Sequence, residues 1–263
     1  MATAISAMLL VERGQLRLSD PVSMYLPGFK NWYGEGKDSV TIRVEDLLTH
    51  TSGLPAYAPV KTLAEADGKP NPAKLMTYIA GCKRESKPRA DMQYSCLNYI
   101  TLQNIIERIT GQSLRTFAAN NIFIPLGMKH TDFLPCTSDK SGKLVNTSQP
   151  RWVANGEQAN LTPIAPTERQ PNGVVKQGQV HDPLACTLNG GVSGNAGLFS
   201  TAEDVATLCA MLQNGGAWGG KRILSPLTVK AMRSVPQNFN SFGRSLGWDV
   251  SSAYASNQGD LLS

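Results

Sequence analysis

The chain has 263 residues, 41% hydrophobic and 17% charged, with a formal charge of +5 and a pI of about 9.0. It is long enough to bury one large core or two small ones and too apolar to be disordered. Its Lys and Arg are scattered, so no basic stripe for nucleic acid is present, and no run reaches the roughly 18 apolar residues of a membrane span.

Residues 1–13 read as a helix that is apolar nearly all round (Ala4, Ile5, Ala7, Met8, Leu9, Leu10, Val11), and Gly14 ends it. Such a helix is normally buried in mid-domain. It lacks the positive flank and small-residue cleavage site of a signal peptide. Chains seldom begin inside a buried helix, so a fragment of a longer protein is expected. Asp20-Pro21 and Pro27-Gly28 mark turns, and Val40-Thr41-Ile42 is extended. Residues 44–50 make one or two helical turns, stopped at Thr51-Ser52-Gly53, where His50 reads as a hydrogen-bonded structural histidine. Asn71 and Pro72 are N-cap and N1 of a helix reaching about Cys82.

The stretch 94–111 organises the chain. Leu97, Ile100, Ile105, Ile106 and Ile109 recur near the helical period, and Gly111 occupies a left-handed C-terminal position. Tyr94 at its base has two readings. It is a core ring with a satisfied hydroxyl, or a proton acceptor if a cation lowers its pKa from about 10. Ser113 caps a further helix to about Phe123, broken by Pro125-Leu126-Gly127-Met128.

Residues 134–180 form a long irregular excursion, of the kind that is functional or disordered. Gly190, Gly191, Gly194 and Gly197 imply positive φ or close approach of another group, without any nucleotide-binding fingerprint. Ser200-Thr201-Ala202-Glu203 has the form of a capping box. The helix after it is expected to bury Val205, Leu208, Cys209 and Leu212, with Cys209 a small core residue, and to stop at Gly215-Gly216. Ser225-Pro226 opens a last helix to about Ser234. Residues 239–263 read as strand or loop, with Leu246-Gly247-Trp248-Asp249-Val250 as the strand. Five cysteines (82, 96, 136, 186 and 209) leave at least one thiol unpaired, none in a C-x-x-C pair, and His50, His130 and His181 lie far apart. No metal site and no cofactor are expected.

Five stretches in order then carry a resemblance. They are 10–14 with 16–21 and Tyr25-Leu26-Pro27; 42–54, ending Leu47-Leu48-Thr49-His50-Thr51-Ser52-Gly53-Leu54; Tyr94-Ser95 with its helix; Pro125-Leu126-Gly127-Met128; and 190–204 with Ala196-Gly197-Leu198-Phe199-Ser200-Thr201. Together they resemble the serine hydrolases related to class C β-lactamases, penicillin-binding DD-peptidases and family VIII-type esterases, across essentially the whole chain. The resemblance implies an α/β (α+β) fold of the β-lactamase/transpeptidase type, an antiparallel sheet flanked by helices plus a mostly helical region, here as one partial domain over 1–263. It implies acyl transfer through a serine ester on a small-molecule ester, β-lactam or peptidoglycan-peptide substrate. The serine belongs to S-x-x-K, and a tyrosine with a pKa lowered by cations relays the proton.

Carried over residue by residue, the catalytic tyrosine falls on Tyr94. Cys96 stands where relatives have Asn or Asp, and Asn195 where many have His. Asn195, Ala196 and Gly197 then line one edge of the cleft, and Pro55, Ala56 and Tyr57 the opposite wall. No serine here has lysine three residues on. Thr137-Ser138-Asp139-Lys140 has the spacing but begins with Thr and lies in the irregular excursion. In relatives S-x-x-K ends just before the position of Met1, and K-T-G or H-T-G follows a region like 247–263. The expectation is therefore a sequence truncated at both ends, inactive as it stands. The resemblance suggests a periplasmic or extracellular setting and is silent on oligomeric state. Cys96 and Asn195 keep open a non-catalytic binding or regulatory relative.

Overall fold

The computed structural model describes residues 1–154, 164–170, 173–235 and 242–250. Parts of the 134–180 excursion and most of the 239–263 reading lie outside the described residues. In chain order the elements are α1 (Ala2–Glu12), α2 (Val22–Tyr25), the hairpin β1 (Trp32–Tyr33) and β2 (Ser39–Val40), α3 (Val44–Leu48), α4 (Val60–Leu63), α5 (Pro72–Gly81) and α6 (Cys96–Thr110). Then come α7 (Leu114–Ala118) with a π turn over Ala119–Phe123, β3 (Asp132–Phe133), the hairpin β4 (Cys136–Ser138) and β5 (Leu144–Asn146), α8 (Arg151–Ala154), and the hairpin β6 (Glu168–Arg169) and β7 (Val175–Lys176). A second π turn over Leu184–Leu188, β8 (Leu198–Phe199), α9 (Ala202–Gln213), the hairpin β9 (Ala217–Trp218) and β10 (Lys221–Arg222), and α10 (Pro226–Arg233) complete the order. The described strands pair only as antiparallel two-stranded ladders. No described helix is long and apolar enough to cross a membrane.

Helix α1 is the axis of the core. Every residue of Ala2–Leu10 is buried, as an all-round apolar helix requires. It packs on α6, α7 and the π turn that follows α7, against Leu97, Ile100, Phe117 and Ile122, all in the same apolar cluster. Each such side chain contributes about 1.5–3 kcal/mol by leaving water. Three caps expected from sequence are present. Asn71 Oδ1 accepts from the Lys74 amide at 3.0 Å, Ser225 Oγ accepts from the Thr228 amide at 3.2 Å, and Gly111 ends α6 at φ 66°.

Three sequence readings are corrected. Cys209 is exposed on α9, because the buried stripe runs Asp204, Leu208, Met211, Leu212. Asp204 is drawn inward by the His130 amide and the Thr131 hydroxyl, at 2.8 and 2.7 Å, which turns Cys209 to solvent. The cap of α9 is Thr201, not Ser200; its Oγ1 accepts from the Asp204 amide at 3.2 Å. Ser200 Oγ is instead 2.7 Å from Thr131 Oγ1. Residues 246–250 form a tight turn with a single Arg244–Asp249 bridge rather than a strand. Gly247 sits there at φ +98°, and a Cβ on it would lie 2.4 Å from Ala4 Cβ, so the backbone itself rests on α1.

The glycine-rich loop is locked to α6 by one buried side chain. Gln103 Oε1 accepts from the Gly194 amide at 2.8 Å and from Asn189 Nδ2 at 2.9 Å, while Gln103 Nε2 donates to the Val192 carbonyl at 3.0 Å. Thr3 Oγ1 on α1 donates to the Gly194 carbonyl at 2.7 Å. A Cβ at Gly194 would lie 1.9 Å from the Tyr99 carbonyl oxygen. Gly194→Ala is therefore expected to destabilise the fold by about 1–3 kcal/mol, read as a lowered urea midpoint.

Candidate active site

Tyr94 immediately precedes the N-cap of α6. The cap is Ser95, whose Oγ accepts from the Leu97 amide at 3.2 Å and donates to the Pro55 carbonyl at 2.6 Å. The Cys96 amide, an orphan donor of the first turn, is satisfied by the Ala56 carbonyl at 3.0 Å. The start of α6 is thus tied to residues 55–56.

His50 holds the tyrosine from below. Its Nδ1 accepts from the Ser95 amide and faces Asn98 Nδ2, each at 3.1 Å. An accepting Nδ1 puts the ring proton on Nε2 and keeps the imidazole neutral. Burial first, and then the Arg244 charge, drive its pKa from 6.5 to about 3. The ring lies between Tyr94 and Tyr99, with centroids 4.5 and 5.1 Å away. His50 adopts φ 59°, a conformation to which its own turn and these bonds commit it. The structural reading of His50 is borne out.

Tyr94 is not a core ring. It is 41% exposed, with His50 on one side and the Arg244 guanidinium carbon 5.5 Å from its ring centroid. The same turn of chain brings Gly247 against Ala4 in the opening turns of α1. Its electrostatics differ from what the family resemblance implies. Burial, and then Cys96, push its pKa up, and Arg244 only partly opposes them. At neutral pH this phenol keeps its proton, because burial holds its pKa above the ordinary value.

The remaining candidates converge on a residue that sequence reasoning missed, Asp182. Its Oδ2 accepts from the Tyr57 hydroxyl at 3.1 Å, and its Oδ1 from Asn195 Nδ2 at 3.2 Å and the Ala185 amide at 2.8 Å. The Tyr57 hydroxyl accepts from the Leu184 amide at 3.3 Å; burial and Asp182 push its pKa to about 12. The Cys96 thiol bonds the Asn195 side chain, but burial outweighs that bond and raises the thiol above its ordinary range. Asn195 is oriented by Ser193 Oγ, which donates to its Oδ1 at 2.7 Å. Ala196 lies between two hollows. One, of ≈ 70 Å³, is at the head of α1 beside Thr3, Phe133 and Gly194. The other, of ≈ 440 Å³, also includes Gly197, His181 and Asp182. Ala56 takes part through its carbonyl, which accepts from the Cys96 amide.

Tyr57 and Asn195, expected on opposite walls, are thus joined through one carboxylate. The Asp182-Pro183 dipeptide carries a turn signal that could have drawn attention to Asp182; nothing in the sequence singles out Arg244. The described residues contain no cluster of His, Cys, Asp and Glu able to hold a metal ion.

The chain matches the family described as Beta-lactamase over residues 1–259, and it belongs to that family. It is 33% identical over 256 residues to a putative D-alanyl-D-alanine carboxypeptidase of Escherichia coli K12, covering 95% of this chain and 56% of that protein. The chain spans about half the length of the curated relatives it matches. Among solved structures it resembles a D-stereospecific amidohydrolase from Streptomyces (TM-score 0.64, 22% identity, 94% of this chain and 67% of that one). It also resembles an octameric penicillin-binding protein homologue from Pyrococcus abyssi (TM-score 0.58, 24% identity, 94% and 50%). At these identities the structures show a shared fold.

His50→Asn, which tolerates φ > 0, should cost about 1–3 kcal/mol by leaving the Ser95 amide without its acceptor. The imidazole binds fewer protons folded than unfolded between about pH 3 and 6.5. Its contribution is complete above 6.5 and is lost as pH falls toward 3. Asp46, raised to about 6 mainly by burial, acts in the opposite sense in both proteins. The stability gap between parent and variant should therefore narrow on acidification, measured by urea unfolding at pH 7, 5.5 and 4.

Proposed function

We propose that this chain supplies the tyrosine side and the binding wall of a serine acyl-transfer site. Tyr94 is the proton-relay residue, and Cys96, Asn195, Ala196, Gly197, Ala56 and Tyr57 surround the substrate. The observation that carries the reading is the half-exposed phenol stacked on His50 at the N-terminal flank of α6, in a chain of this family. Of the three substrate classes, a peptidoglycan-type peptide ending in D-amino acids is favoured by the carboxypeptidase name of the relatives. That substrate lies outside the cell membrane, which supports a periplasmic or extracellular setting.

The chemistry follows from the proton on Tyr94. As the phenol stands, it can donate a proton to a leaving amine but is a poor base. A lysine ammonium beside it would draw the pKa down and make it an acceptor for the serine proton. The S-x-x-K pair that would provide both groups is not in these 263 residues. The chain alone is therefore proposed to be inactive. A second reading, a non-catalytic relative that binds such peptides, is favoured by Cys96 and by the upward direction of the Tyr94 pKa.

The 263-residue chain should neither label with a fluorophosphonate nor hydrolyse p-nitrophenyl esters or a chromogenic cephalosporin. The full reading frame, if it carries S-x-x-K, should do both, with Tyr94→Phe lowering turnover by about 10²–10⁴-fold. Turnover by the short chain that Tyr94→Phe abolishes would mean the nucleophile lies elsewhere. An inert full-length protein that still binds D-Ala-D-Ala peptides would establish the second reading.

A further inference from the structure

We propose that Cys136 and Cys186 are a disulfide-forming pair that staples the turn carrying Asp182 to the β4–β5 hairpin. The two sulfurs are 3.7 Å apart and buried. They lie in a small apolar cluster with Val180 and Ala185, against which Leu144, Ala196 and Phe199 pack. The backbones around them are already tethered. The Cys136 amide donates to the Gly190 carbonyl at 2.9 Å, and the Gly191 amide to the Ala185 carbonyl at 2.8 Å. A disulfide needs sulfurs about 2.05 Å apart, so the two sulfurs have about 1–2 Å further to close. The other thiols have other surroundings: Cys82 contacts Arg84, Cys96 bonds Asn195, and Cys209 is exposed on α9. An odd cysteine count thus resolves into one pair and three single thiols.

Each sulfur faces the other, and Lys176 favours the thiolate at both. The thiolate of one cysteine attacks a sulfur of an organic disulfide such as oxidised glutathione, forming a mixed disulfide and expelling one glutathione thiolate. The other cysteine, deprotonated in turn, attacks the protein sulfur of that mixed disulfide and expels the second. The protein loses two protons and two electrons, and the oxidant becomes two thiols. Because both sulfurs are buried, exchange takes place during folding or on local opening.

The staple acts on the binding wall. Cys186 is in the π turn that Asp182 caps through the Ala185 amide, and the Cys186 amide donates to the Asp182 carbonyl at 2.9 Å. The same Asp182 carboxylate joins Tyr57 to Asn195. The bridge also closes the base of the 136–186 excursion, a loop of the length for which cross-linking constrains the unfolded chain strongly.

The test uses the unaltered 263-residue chain, prepared without reductant and refolded with oxidised glutathione, then denatured, alkylated and mapped by mass spectrometry. The expected result is alkylation at Cys82, Cys96 and Cys209 and one cross-linked peptide joining Cys136 to Cys186, lighter by two hydrogens. Five alkylated cysteines, a glutathione adduct persisting on either residue, or a bridge between other cysteines would overturn the proposal. Reductant should lower the thermal midpoint by about 5–10 °C, and the C136A/C186A double variant should lose that response. A bridge that forms without any such shift would overturn its stapling role.

Discussion

The bond from the Ser95 amide to His50 Nδ1 is the interaction on which the candidate site depends. It joins the turn after α3 to the first residues of α6, which are 45 positions apart. It also forces the imidazole to be neutral, so the ring can lie between two tyrosines without a buried charge. A protonated imidazole would have no lone pair for the Ser95 amide and would face Arg244. Burial, tautomer and stacking therefore all demand the same state, and that state sets the direction of Tyr94.

The loop 189–197 is held by a different device. Gln103 offers one amide group to three loop partners, and Gly194 lets the loop backbone come against the α6 backbone where any side chain would collide. Both supports are on α6, one on its N-terminal flank and one two turns along. The helix with the phenol at its base therefore also holds the glycine-rich loop in place. Asp182 closes the frame by taking hydrogen bonds from Tyr57 and Asn195 at once.

This frame explains why Tyr94 is presented and yet poorly poised as a base. Its surroundings supply orientation through His50 and a guanidinium over the ring, but the electrostatic balance favours the neutral phenol. Orientation and proton affinity are separable. The described residues provide the first, and an ammonium group beside the hydroxyl would be needed to provide the second.

Much of this was readable beforehand, for local physical reasons. The buried character of α1, the Asn71 and Ser225 caps, the Gly111 terminus and the structural role of His50 follow from periodicity, cap chemistry and turn residues, which act over a few positions. The order of five short motifs was enough to indicate the family. What the chain could not reveal in one dimension were contacts between distant segments. Asp182 matters because Tyr57 and Asn195, 125 and 13 residues away, share its carboxylate. Cys209 faces solvent because Asp204 is drawn in by His130 and Thr131. Residues 246–250 turn because Gly247 must rest on Ala4. The proton affinity of Tyr94 was likewise settled by which charges the fold brings near it, because a pKa responds to distance and burial in space, and neither is written in the order of residues.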